Sequence, residues 1–310
     1  MDNLPVIAIR FALYADLMVL TGVTAFSHYA LTREERASGT LAVTKPAVAL
    51  SLIGFLLSGL GMLALVASMT GSGLWAVDGG VLREIIGESA IGTAWIVRMA
   101  AMAAAVFSAF SLSRNPTAAR LGLLGSTALA IATLVWTGHA GATEGWIGSA
   151  HKLSDIVHML AASAWIGGIA AFAWMLFRPI ERQSAAHLKI AHRSLEQFSR
   201  VGTVAVGLII ATGIINSLIL IGLPSPSRLI TSLYGKLLLA KLGLFGAMLL
   251  LAAANRWRLT PALDAAIRTD DPAFAVRDLR RSLIFEGTAA LVILALVAWL
   301  GTLEPLRGMG

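Results

Sequence analysis

Eight predominantly apolar stretches, each about twenty residues or longer, constrain this chain more than any other feature. They cover about 5–29, 46–70, 91–113, 121–140, 154–177, 201–222, 234–254 and 283–302. Twenty helical residues rise about 30 Å, the thickness of bilayer hydrocarbon. A water-soluble core could not absorb this much apolar chain. The sequence is 57% hydrophobic and 13% charged, against roughly 25% charged in soluble domains. The expected fold is therefore an all-α integral membrane protein, a bundle of about eight transmembrane helices forming one polytopic domain over residues 1–310.

Charge placement predicts an orientation. The formal net charge is +7. Sixteen Lys and Arg fall in the loops after spans one, three, five and seven, and five fall in the opposite loops and C-terminus. The positive-inside tendency puts the first set in the cytoplasm and both termini outside. Basic residues spread through short loops suit topology, not phosphate binding, so no nucleic-acid partner is expected. The N-terminus has no basic stretch before its apolar run and reads as a retained first span. Residues 183–200 and 262–281 mix apolar and basic side chains and predict two surface helices on the cytoplasmic face, the second broken at Thr269-Asp270-Asp271-Pro272.

Several chemistries are missing. With no cysteine, disulfides, zinc ribbons and thiol redox are excluded. There is no phosphate loop, no H-E-x-x-H and no G-x-S-x-G, so no enzyme is indicated. What remains is the turn between spans four and five. His139, His151 and His158 gather at one outer membrane level, and His151, Asp155, His158 and Trp165 share a helix face. Imidazoles with a carboxylate there suggest metal ligation, Asp155 either ligating or orienting a ring, with Met159 adjacent and Met69 a further soft donor. Trp136 and Trp146 suit an interfacial belt, and Trp165 suits the bundle interior. His28, His187 and His192 read as interfacial histidines.

Asp16, Arg98 and Lys241 interrupt spans one, three and seven at similar depths, so mutual pairing is expected. Asp16, Lys241, Asn216 and Asn255 could instead mark a cation or proton path, the two asparagines otherwise serving as interhelical hydrogen bonders. Gly167-Gly168 would let helices approach closely.

Three segments resemble a known family. DIVHMLAASAWIGGI (155–169), FSRVGTVAVGLIIATGIINSLI (198–219) and YGKLLLAKLGLFGAMLLLAAANRWRLTP (234–261) are similar to the CopD/PcoD copper-resistance membrane proteins. The likeness is specific over about 135–261. Over the first four spans (1–140) it rests on span count, residues 141–310 being the CopD-like part. It implies a bacterial inner-membrane protein that takes up copper with a periplasmic CopC-like partner, here a separate chain. It also implies copper at His139, His151 and His158. Lys241 and Asn255 fall on family signature positions. The ten methionines are dispersed, unlike the Met-rich runs of copper exporters. Two other readings stay open: a membrane electron carrier with b-type haem between His139 and His158, and a scaffold docking a copper chaperone.

Overall fold

The structure, a computed structural model, describes residues 4–177, 185–222, 226–269 and 271–306. Asp270, residues 183–184 of the first expected surface helix, and Arg178, Arg182 and Arg307 among the loop charges counted above lie outside these. Among the described residues the chain is helical, with no strand. The helices are α1 (Leu4–Tyr29), α2 (Arg33–Ala37), α3 (Thr44–Thr70), α4 (Gly79–Glu88), α5 (Ala90–Ser111), α6 (Pro116–Ala132) and α7 (His139–Ala142). They continue as α8 (Gly145–Leu176), α9 (Ala185–Ile221), α10 (Pro226–Thr231), α11 (Leu233–Ala254), α12 (Thr260–Arg268) and α13 (Ala273–Leu300). Among the described residues eight stretches are long and apolar enough to cross a membrane, and they correspond one to one with the eight expected spans.

The helix ends follow local chemistry, and several differ from the apolar boundaries. Asn115 accepts from the Ala118 amide ahead of Pro116, so α6 starts before its apolar run. It tightens into a 3₁₀ turn at Thr133–Thr137 and stops at Gly138, short of residue 140. Helix α8 starts at Gly145, nine residues before the apolar stretch, because no Pro stops it and Gly148 is absorbed into its first turn. For the same reason residues 185–200 are no separate surface helix: without Pro or Gly, they continue into span six as α9. The second expected surface region does divide, into α12 and the first turns of α13, at the Pro272 break.

Helix α1 is the hub, packing against α3, α6, α8 and α13. One core lies on its α3–α5–α6 side, around Leu17, Met102, Leu123 and Ile131. The other lies among α8, α9, α12 and α13, around Phe172, Met175, Leu263 and Leu279, and takes Phe26 from α1. Phe26, Phe172 and Phe198 stack edge to face at 5.0 and 5.4 Å, tying α1, α8 and α9. The outward faces are apolar too, Phe107 and Leu250 each being 74% exposed. In water each would forgo roughly 1.5–3 kcal/mol of burial, but hydrocarbon is no worse than a core.

Two glycines set the spacing of the halves. A Cβ on Gly22 would lie 1.9 Å from the Ser163 carbonyl oxygen, and one on Gly167 would lie 2.1 Å from the Gly22 carbonyl carbon. Helices α1 and α8 therefore touch backbone to backbone. Gly168 faces the other way and admits the Phe198 ring, 2.0 Å from where its Cβ would sit.

Arginines close the helix ends. Arg10 donates to the carbonyls of Thr137 and Gly301, joining α1, the 3₁₀ turn and the end of α13. At the opposite end Arg36 donates to Ser27, His28 and Leu31, and Arg280 to Leu176. These carbonyls lie at or just past helix C-termini, where a guanidinium can bond them and meet the negative dipole end together. Arg193 pairs with Glu35 and reaches Ala30 O, fastening α9 to α2. The Arg193 hydrogen bond, against some burial, holds the Glu35 carboxyl below its ordinary pKa. A depressed carboxylate adds stability above the unfolded value, and this is lost as pH falls through the folded one. Glu35→Gln should therefore lower the melting temperature at neutral pH, and the gap to wild type should close below about pH 4. A gap independent of pH would contradict this.

Candidate functional site

The turn between α6 and α8 folds back on itself at one end of the bundle. Gly148 allows it, since a Cβ there would meet the Thr143 carbonyl oxygen at 1.9 Å. His139 opens α7. Its Nε2 lies 3.1 Å from the Leu300 carbonyl oxygen at the end of α13, and its ring stands edge-on to Tyr234 at 6.1 Å. A carbonyl can only accept, so Nε2 carries the proton and Nδ1 the lone pair. Burial lowers the His139 pKa, the Leu300 hydrogen bond opposes this, and the Arg10 charge adds to the lowering. The net effect favours the neutral ring.

His151, two turns into α8, is 1% exposed. Its Nδ1 lies 3.0 Å from the Thr143 hydroxyl, which itself reaches the His139 carbonyl oxygen at 3.2 Å. The hydroxyl has one proton, and the carbonyl takes it. His151 must therefore donate from Nδ1, leaving its lone pair on Nε2. Thr143 ties the two histidines together.

Further along α8, Asp155 and His158 face α9. Asn216 donates Nδ2 to Asp155 Oδ1 at 3.3 Å. The His158 Nδ1 sits 2.9 Å from the Thr212 hydroxyl, which donates to the Leu208 carbonyl at 2.5 Å. By the same argument His158 is protonated on Nδ1 and presents Nε2 as an acceptor. Its ring borders a cavity of about 480 Å³ between α8, α9, α11 and α13, shared with Trp165, Lys241 and Phe245.

The sequence candidates are thus divided. His139 and His151 share the turn, and Asp155 and His158 share the α8–α9 contact. Met159 is not brought to either group. It points the other way, 8% exposed in the core beside α1 and α6. Met69 is 63% exposed at the end of α3. Trp165 is buried, and Trp146 is 80% exposed. Among the described residues no three His, Asp or Glu side chains lie close enough to enclose a metal ion.

The expected pairing of Asp16, Arg98 and Lys241 is corrected. Among the described residues ion pairs form at Arg193–Glu35 and Arg268–Asp264, and none joins these three. Both carboxylate oxygens of Asp16 are buried without a partner, and Oδ2 fills the space left by Gly54 of α3. Arg98 is 3% exposed, with Nε and Nη1 unpartnered. Lys241 interacts electrostatically with Asp155 instead. Depth along a helix is readable from sequence, but the direction a residue faces around its axis is not. Asn255, the last path residue, lies far from His158 and donates to Glu286.

Sequence reasoning missed Thr143 and Thr212, which fix the imidazole tautomers. The signal was present: Thr212 and Asn216 are four apart on α9, matching His158 and Asp155 three apart on α8.

Comparison with known proteins bears on the whole chain. A model of the N-terminal domain of copper resistance protein D-like proteins matches residues 1–149, and a model of copper resistance protein D matches 192–300. The chain is 42% identical to copper resistance protein D of Pseudomonas syringae pv. tomato, over 96% of each chain. It is 28% identical to the inner membrane protein YebZ of Escherichia coli K12, over 96% of this chain and 98% of that one. It is 30% identical to copper transport protein CutJ of Bacillus subtilis 168, over 79% of this chain and 45% of that protein. No solved structure matches significantly. With eight apolar spans and these relatives, this is a multi-pass inner-membrane protein. The chain belongs to the copper resistance protein D family.

Proposed function

We propose that this protein carries copper across the inner membrane, accepting it at the His139–His151 turn and passing it inward past His158. One observation carries this reading. Each of the three imidazoles gives one ring nitrogen to an oxygen of the protein and keeps the other as a lone pair. Oxygen partners that fix the tautomer in this way are what metal-binding histidines need. Asp155 supports the site by holding negative charge beside His158. Relatives named for copper resistance and copper transport support copper as the cargo. The charge count, sixteen against five, supports the histidine turn facing outward, where a CopC-like copper-binding protein would deliver the ion.

Thr212→Val tests the tautomer argument. It keeps the shape and removes the oxygen that accepts from His158. Copper affinity of the purified protein, read by competition titration, should fall about 10–100-fold. Unchanged affinity would remove Thr212, and with it His158, from the site.

A further inference from the structure

The cavity beside His158 has a second one beyond it. Both are walled by α8, α9, α11 and α13, at successive depths, and they measure about 480 and 320 Å³. The first takes in His158 and Lys241, and the second takes in Phe172, Asn255 and Glu286. Trp165 borders both, its ring edge-on to Phe245 at 5.8 Å and 76°. Among the described residues helices α9 and α11 are at most sparsely in contact, and this space lies between them.

The two levels carry the same chemical pair. Beside the first, Asn216 donates Nδ2 to Asp155, and its Oδ1 is left buried without a partner. At the second, Asn255 donates Nδ2 to Glu286 Oε1, and its Oδ1 is likewise unpartnered. Ser282 also donates to Glu286 Oε1, so Glu286 Oε2 and Asn255 Oδ1 remain as oxygen acceptors. Asp155 has Lys241 as a neighbouring charge, but Glu286, 2% exposed, has no Lys or Arg at ion-pair distance among the described residues. Arg256, next to Asn255, is turned to Thr203. A carboxyl buried at this depth without a counter-ion either holds a proton or exchanges it for a cation, and Glu286, unlike Asp16, borders a cavity through which a cation could reach it. Asn255 also begins a π-helical turn, Asn255–Leu259, a distortion frequent at functional sites.

We propose that Glu286 and Asn255 form a second cation station, separated from His158 by the Trp165–Phe245 pair, which takes the metal ion after it passes the tryptophan and before release at the basic end. The proposal rests on the copper-passage reading. It also moves the route away from Asp16, which lies between α1 and α3, outside both cavities.

The test is uptake of radioactive copper by proteoliposomes holding the full chain, beside copper titration of the same protein in detergent. Glu286→Gln keeps the size and still accepts from Asn255 and Ser282, but removes the charge. Uptake should fall by about tenfold or more, with the affinity of the histidine end unchanged. Wild-type uptake in this variant overturns the second station and leaves the outer site standing. A wild type that moves no copper overturns both. If the Gln variant does not insert, Asn255→Ala reads the same site by removing the orphaned oxygen, and uptake equal to wild type there overturns it equally.

Discussion

Replacing His158 with alanine should reduce copper accumulation by about 100-fold or more while the protein still inserts. His158 is the imidazole that borders the cavity between α8, α9, α11 and α13, so it alone of the three connects the histidine turn to the bundle interior. The substitution should be cheap for the fold. Thr212 keeps its own hydrogen bond to Leu208, so no buried donor is left unpaired. The space vacated adds to a cavity that already exists, and the loss of packing should stay near about 1–2 kcal/mol. Uptake of labelled copper, normalised to protein in the membrane, checks it. Accumulation equal to wild type would remove His158 from the path.

The second large effect is structural. Gly167→Ala puts a methyl group 2.1 Å from the backbone of Gly22, where no side chain can swing aside. Helices α1 and α8 must part, and α1 is the hub on which both cores rest. The cost should be about 3 kcal/mol or more, at the upper end of overpacking, and visible as a lower melting temperature in detergent. Gly246→Ala is the matched comparison. It also lies within a span, but its Cβ would meet nothing within 4 Å, so it should be neutral or slightly stabilising. Equal melting of Gly167→Ala and wild type would mean that the two helices do not depend on this contact.

Much of this architecture was legible in the residues, for a physical reason. A bilayer demands a fixed apolar length, so the eight spans stand out by composition. It does not demand that helices stop where apolarity stops. Helix α8 from Gly145, and α9 already helical at Ala185, reach well outside the apolar runs, and only the absence of Pro marks these extensions. The stripe of Asp155 and His158 was readable because three residues bring side chains onto one face. Their partners carried only a matching spacing on another helix, too little to single them out: Thr212 is 54 residues from His158, and Asn216 is 61 from Asp155. The seven residues from His151 to His158 also amount to two helical turns, about 10.5 Å. Histidines at one membrane level in sequence are therefore divided between two places in the fold.

The most direct measurement is copper content and the visible spectrum of the detergent-purified protein, wild type beside His158→Ala. The account predicts copper bound by the wild type, substantially weakened in the variant, and no Soret band in either. A Soret band would turn the same histidines into axial ligands of haem and the protein into an electron carrier. A wild type with no affinity for copper would contradict the central claim.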